Sequence, residues 1–298
     1  MTDLVIIPLL PFSPGTPMGS FFGKSRTRDW TRHWENTLPF AEAGVASWKD
    51  WSSRNGIRLE VSRRLPTAAE CRCTESQIEI LATFPPTIQR WLLPLAAWRR
   101  CGDEARIAMV DADTLISPQA PSIFEQAQAD VILTPDRPEW NAWRVSSLAT
   151  YAPMFPDIEF DKDLFFNAGV MVLGSPILPR TFLDFVLDHA TEYMARMTQG
   201  PERAGTDQIP LNFIFQKLAR DNKLTASLLD SRWNARVDLA LEAKNPDRSA
   251  WTAMVKQVIL GNHISHFVSA KELMPAAWQS IEQEYIHEPH PGRHPGRS

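Results

Sequence analysis

Residues 107–116 read IAMVDADTLI, an apolar run that closes on two aspartates, Asp111 and Asp113, with one alanine between them. In extended backbone, residues two apart point to the same side, so both carboxylates face one ligand from the end of a strand whose apolar half lies in the core. Adjacent anions repel, and the pair is costly unless a cation or a proton sits between them. A divalent metal that also holds substrate phosphates meets that demand. The plainer alternative is a strand end at which one aspartate caps the next turn and the other is solvated.

The elements that would position this pair follow from periodicity. Leu4 to Leu10 suits a buried strand. Residues 11–35 are irregular, dense in Gly, Pro, aromatics and the basic residues Lys24, Arg26, Arg28 and Arg32. The spacing predicts a helix over 37–56, stopped by Gly56, and IRLEV alternates as a strand. Ile88, Trp91, Leu92, Leu95 and Trp98 fall at helical intervals over 87–100, with Pro94 predicting a kink or a late start and Gly102 placed as a C-terminal cap. RIAMV is a continuous apolar strand, Ser122 and Glu125 fit a capping box for a following helix, and residues 130–134 read as another strand. Residues 135–163 have no clean period and read as an insertion. Residues 164–174 are strand-like, 180–197 an amphipathic helix ending near Gly200, 206–220 a helix opened by Thr206 and Asp207, and 258–268 a late strand. The tail from His287 to Ser298, with His290 and His294, has no apolar anchor and is expected to be disordered. Alternating strands and helices predict one α/β domain over 1–286 with a mainly parallel sheet flanked by helices.

Composition excludes several classes. The 298 residues are 44% hydrophobic and 22% charged, ordinary globular usage, and the formal net charge of -4 argues against bulk binding of nucleic acid. Three cysteines, two of them in CRC, make neither a disulfide framework nor a zinc set, which points to free thiols in the cytoplasm. The N-terminal apolar run lacks a basic flank and is broken by Pro8 and Pro11, and no run approaches the ~18 residues of a membrane span.

Phosphatases of the haloacid dehalogenase type carry D-x-D-x-T/V after an apolar strand, but here Leu115 holds the fifth position and Thr114 comes one early. The fit to another group is better. In order, RWLLPLAAW, RIAMVDADTLI, FFNAGVMVLG, GTDQIPLNFIF and ISHFVSAK resemble the retaining family 8 glycosyltransferases of the GT-A fold, the group of glycogenin and the bacterial lipopolysaccharide galactosyl- and glucosyltransferases. The resemblance spans roughly residues 87–271. It implies a GT-A-like fold and transfer of a hexose, from UDP-glucose or UDP-galactose, to a saccharide acceptor. It implies that Asp111, Asp113 and His266 bind Mn²⁺, with Mg²⁺ as the alternative ion, and a mixed oxygen and nitrogen donor set suits such an ion. Arg90, Asp111, Ala112 and the Asn167-Ala168-Gly169 turn are implied to contact the donor, and Asp207 and Gln208 to lie by the sugar hydroxyls and the anomeric carbon. The late motif departs from the family: Ser269 replaces a glycine, Lys271 comes one residue early, and Glu272-Leu273 stand where Pro-Trp is usual.

An amide such as that of Gln208 is a poor covalent nucleophile, so front-face attack by the acceptor is expected, with Asp207 orienting hydroxyls. Aromatic residues in irregular segments could stack on sugar rings: Trp30, Trp34, Trp140, Trp143 and Trp233, the last beside Asn234. The basic stretch between Lys24 and Arg32 motivates a second acceptor class, a modified base in DNA. A catalytically silent relative that binds nucleotide sugar, and a metal-dependent phosphohydrolase, are the remaining alternatives.

Overall fold

Two apolar runs become neighbouring central strands: β1 (Asp3–Pro8) pairs in parallel with β3 (Arg106–Val110), Leu4 opposite Ile107 and Ile6 opposite Met109. The structure, a computed structural model, describes residues 2–10, 30–136, 142–199 and 207–285. Lys24, Arg26, Arg28, Trp140, Gly200, Thr206, the tail histidines, and the side chains of Trp30, Arg32, Trp34 and Trp143 lie outside the described part.

Between the two strands run α1 (Trp30–Asn55), β2 (Arg58–Ser62), α2 (Ala68–Cys71), α3 (Glu75–Ala82), α4 (Pro86–Gln89) and α5 (Leu92–Cys101). The starts of α2 and α3 are specified locally, by capping boxes of Thr67 with Glu70 and Thr74 with Gln77. After β3 come β4 (Thr114–Ile116), β5 (Val131–Pro135), α6 (Ala142–Tyr151), β6 (Phe166–Leu173), α7 (Ile177–Asp188), α8 (Ala190–Gln199), α9 (Gln208–Arg220) and β7 (Ala226–Leu228). The chain closes with β8 (Ala235–Arg236), α10 (Val237–Lys244), α11 (Trp251–Leu260), β9 (Ile264–His266) and α12 (Met274–Tyr285).

The main sheet has the order β2-β1-β3-β6-β5-β7. Five strands share one direction, so the sheet is mainly parallel as expected, while β6 runs against both of its neighbours. The reversal matters for position. An antiparallel strand begins where its parallel neighbours end, so the FNAG start of β6 lies beside the aspartates that follow β3. A second sheet, β4-β9-β8, sets Thr114 opposite His266 and Arg236 beside it.

Alternate residues of the central strands enter two separate cores, as the pleat requires. Leu4, Ile6, Ile107, Met109 and Met171 pack on one face under α5, α7 and α9. Val5, Ile7, Ala108, Val110 and Val172 pack on the other against Trp48 and Trp51 of α1. A third cluster, including Leu241, Val255, Met274 and Trp278, backs the small sheet. All three cysteines are free.

Several expectations are corrected. Helix α1 begins at Trp30, inside the segment read as irregular. The 87–100 helix is two helices: Pro94 stands in the first turn of α5, where a missing N–H costs nothing, so that helix starts late and Arg90 and Trp91 fall at the break. Ser122 makes no side-chain cap, and only a short 3-10 turn, Ile123–Glu125, follows it. The aperiodic 135–163 segment contains α6. The 180–197 helix breaks at His189, a bend that lets Phe182, Val186, Tyr193 and Met197 all reach one core. The late strand is shorter than expected: its first three residues, 258–260, end α11, in which Trp251, Val255, Val258 and Ile259 follow helical spacing, and only Ile264–His266 form β9.

Candidate functional site

The chain leaves β3 at Val110 and turns over Asp111-Ala112-Asp113 into β4. The Asp111 N–H donates to the Gly169 carbonyl at 2.8 Å, the first contact beyond the β3–β6 ladder. The turn is closed by Thr114, whose N–H and hydroxyl both donate to the Asp111 carbonyl, at 3.2 and 2.6 Å. Trp48 Nε1 in turn donates to Thr114 Oγ1 at 3.0 Å. Gly44, in the middle of α1, permits this approach: a methyl built there would lie 2.2 Å from the Ala112 carbonyl oxygen. An isolated glycine in a helical pattern is the signal that could have pointed to it.

Asp113, His266 and Asp111 form one cluster, with donor atoms all within 4.8 Å of one another. His266 Nε2 lies 3.3 Å from Asp113 Oδ1 and 4.0 Å from Asp111 Oδ2. His266 reaches the cluster through the small sheet, and the Phe267 N–H donates to the Asp113 carbonyl at 2.9 Å. Lys271, despite its early place in the motif, brings Nζ to 2.5 Å from Asp113 Oδ2 and lies over the Phe40 ring. Gly169 is the floor of the cluster: a methyl there would stand 2.4 Å from His266 Cε1 and 2.9 Å from Asp111 Oδ2.

Arg90 is buried at the helix break and joins the cluster to the start of α9. Its Nη1 pairs with Asp111 Oδ1, its Nη2 donates to the Ala168 carbonyl at 3.3 Å, and its Nε and Nη2 donate to Asp207 Oδ2 at 3.1 and 2.7 Å. A buried guanidinium is costly unless carboxylates pair with it in good geometry, and here two do. Trp91 Nε1 adds a third donor to Asp207 Oδ2 at 3.1 Å. Asp207 makes no side-chain cap on α9; its carboxylate is spent on Arg90 and Trp91 instead. Gln208, half-buried at the first position of α9, donates weakly to the Phe166 carbonyl at 3.4 Å. Asn167 Oδ1 accepts from the Gly169 N–H at 2.7 Å, which shapes the FNAG turn.

The electrostatics follow from this crowding. Burial pushes the Asp111 carboxyl above the usual carboxylate range; Arg90 opposes and Asp113 adds to that push. Burial works the same way on Asp113, but Lys271 and His266 outweigh it and hold the carboxyl well below that range. Burial disfavours the charged ring of His266, and Asp113 and Asp111 more than compensate. Two carboxylates and one imidazole nitrogen, turned to one point, are a fitting donor set for a divalent cation.

Of the residues expected to form the site, Arg90, Asp111, Ala112, Asp113, Asn167, Ala168, Gly169, Asp207, His266 and Lys271 are brought together, with Gln208 at their edge. Trp233 is not an exposed platform: it is 2% exposed, part of the core on the α1 face, and packed on the His263 ring. Asn234 is buried behind the cluster, with Oδ1 3.0 Å from His266 Nδ1. Asn234 also lines a cleft of about 730 Å³, with Asp136, Leu228, Arg236 and Leu239 among its walls. The sequence analysis does not single out Trp91, Gly44 or Thr114 for the site.

No family model matches the chain, and no curated protein sequence matches it significantly. Among solved structures it is similar to a glycosyltransferase involved in the glycosylation of the major capsid of PBCV-1, at 10% identity and TM-score 0.45, over 95% of this chain and 100% of that one. It is similar to the galactosyltransferase LgtC in complex with donor and acceptor sugar analogs, at 13% identity and TM-score 0.46, over 96% and 98%. Mouse xyloside xylosyltransferase 1 in its apo form matches at 12% identity and TM-score 0.42, over 91% and 98%. Each is a likeness of overall arrangement at low identity. Among the described residues, no helix is long and apolar enough to cross a membrane.

Proposed function

We propose that this chain is a metal-dependent, retaining glycosyltransferase that moves a hexose from a nucleotide sugar, UDP-glucose or UDP-galactose, to a saccharide acceptor in the cytoplasm. The observation that carries the reading is convergence: motifs spread from Arg90 to Lys271 close on one buried centre, with the Asp111, Asp113 and His266 donor atoms within 4.8 Å. Asp111, Asp113 and His266 would hold Mn²⁺ or Mg²⁺, which supplies Lewis-acid stabilisation of a departing diphosphate. Lys271 offers a second positive charge at the same place. The Asn167-Ala168-Gly169 turn, without bulky side chains, lets a sugar lie against backbone.

Asp207 orients donor hydroxyls in this scheme. Three N–H donors on its Oδ2 stabilise the anion and make it a poor nucleophile, which favours attack by the acceptor hydroxyl from the face the diphosphate leaves. The proton passes to a diphosphate oxygen, and the amide of Gln208 lies beside the sugar. In this scheme the cleft lined by Asp136, Asn234 and Arg236 takes the acceptor.

The test is release of nucleoside diphosphate from a panel of nucleotide sugars, with Mn²⁺ and with chelator. We expect slow, metal-dependent hydrolysis of one donor, reduced at least about a hundredfold in Asp111→Asn and Asp113→Asn. Donor binding without turnover, whatever the acceptor, would make the chain a silent binder. Turnover of simple phosphate esters would make it a phosphohydrolase. Absence of both hydrolysis and binding for every donor would reduce the D-x-D to a capped strand end.

A further inference from the structure

An imidazole binds a cation through whichever ring nitrogen lacks a proton, so a histidine ligand is useful only when its proton is held on the other one. In His266, Nε2 is the nitrogen turned to the carboxylates, and Nδ1 points away from them to Asn234 Oδ1, 3.0 Å distant. An amide oxygen only accepts, so this contact requires a proton on Nδ1; once the ring is neutral, the lone pair lies on Nε2, the nitrogen that faces the Asp113 carboxylate.

The amide is itself held in place. Asn234 is 8% exposed and ends the short turn Ser231–Asn234, which is capped by Asp230 through the Arg232 N–H at 2.8 Å. On one side of it, the His263 N–H donates to the Arg232 carbonyl at 2.9 Å. On the other, β8 pairs in register with β9, Ala235 with Ser265 and Arg236 with His266 itself. The backbone carrying the amide and the backbone carrying the ring are thus locked together before and after the contact.

We propose that Asn234 is a positioning residue for the metal centre: its amide oxygen pins the proton on His266 Nδ1 and so presents Nε2 to the cation. This rests on the metal-dependent reading above. It replaces the expectation that Asn234 meets the acceptor directly, although the residue also forms part of the cleft wall.

Two measurements on donor-free full-length protein test it. The first is ¹⁵N–¹H NMR of the histidine rings at alkaline pH, where the ring is neutral, with the His266 signals assigned by their loss in His266→Gln. The second is Mn²⁺ binding by calorimetry to the natural protein, Asp113→Asn, Asn234→Ala and Asn234→Asp, each checked for folding by circular dichroism. We expect an Nδ1-protonated ring in the natural protein, loss of that fixed tautomer with about 10- to 100-fold weaker Mn²⁺ binding in Asn234→Ala, and rescue to within a few-fold by Asn234→Asp, which keeps the acceptor oxygen. An Nε2-protonated ring in the natural protein overturns the proposal without any variant. So does Mn²⁺ binding in Asn234→Ala equal to the natural protein, while loss in Asp113→Asn leaves the functional reading standing. Absence of Mn²⁺ binding in the natural protein overturns both.

Discussion

Gly169 sets the tolerance of the site at the scale of one residue. Its missing side chain leaves room for His266 and Asp111, and a methyl group would also lie 2.8 Å from Asn167 Oδ1. Gly169→Ala therefore has to move two of the three cluster residues. Overpacking of this kind costs about 1–3 kcal/mol. We expect a modest loss of stability by denaturant titration and a more than about tenfold loss of Mn²⁺ affinity by calorimetry; natural affinity in this variant would separate the FNAG turn from the metal centre. The same scale explains what Asp207 does. A sequence reading makes it a helix N-terminal residue, since Ser, Thr, Asp and Asn recur there. Its partners, Arg90 and Trp91, are 117 and 116 residues away, beyond any local pattern.

At the scale of elements, the site depends on the junction between β6 and α9. Asn212, fully buried on α9, accepts from the Phe166 N–H at 3.0 Å and donates to the Phe166 carbonyl at 3.1 Å. It clips the start of β6 to the helix that begins with Gln208, and so sets the distance between the FNAG turn and the Asp207-Gln208 pair. Asn212→Ala takes the acceptor from a buried strand N–H, at a cost of about 1–3 kcal/mol. The expected outcome is a lower denaturant midpoint together with slower donor hydrolysis; lost stability with unchanged turnover would confine Asn212 to a structural role. Elements were legible where one signal dominated. RIAMV, IRLEV and the α9 pattern need only their own residues. The 180–197 and 258–268 segments were misread because amphipathic spacing does not register a bend, and because a short apolar run fits both a strand and the end of a buried helix.

At the scale of the whole molecule, the cluster ties two sheets. Asp111 follows β3 of the large sheet, while His266 ends β9 of the small one. A cation held between them binds only the folded chain, so it stabilises by mass action, about 2.7 kcal/mol at a hundred times its Kd. For a chain of 298 residues that amounts to a rise of roughly 4 °C in Tm. Thermal unfolding with and without Mn²⁺ checks it: the rise is expected in the natural protein and absent in Asp113→Asn. The same two-sheet arrangement separates what the amino-acid sequence determined alone from what folding decided. The apolar strand ending in D-x-D and the alternation of helices and strands are local, set by periods and turn chemistry over a few residues, and they could be read directly; the FNAG turn, the Asp207-Gln208 pair and the late histidine stand out only through the resemblance of their motifs to a known family. The direction of β6, the capture of Asp207 by Arg90 and the amide of Asn234 behind His266 were decided only by the tertiary structure. Each joins segments distant in the chain, and which pairs meet depends on how the strands are ordered, which no local preference encodes.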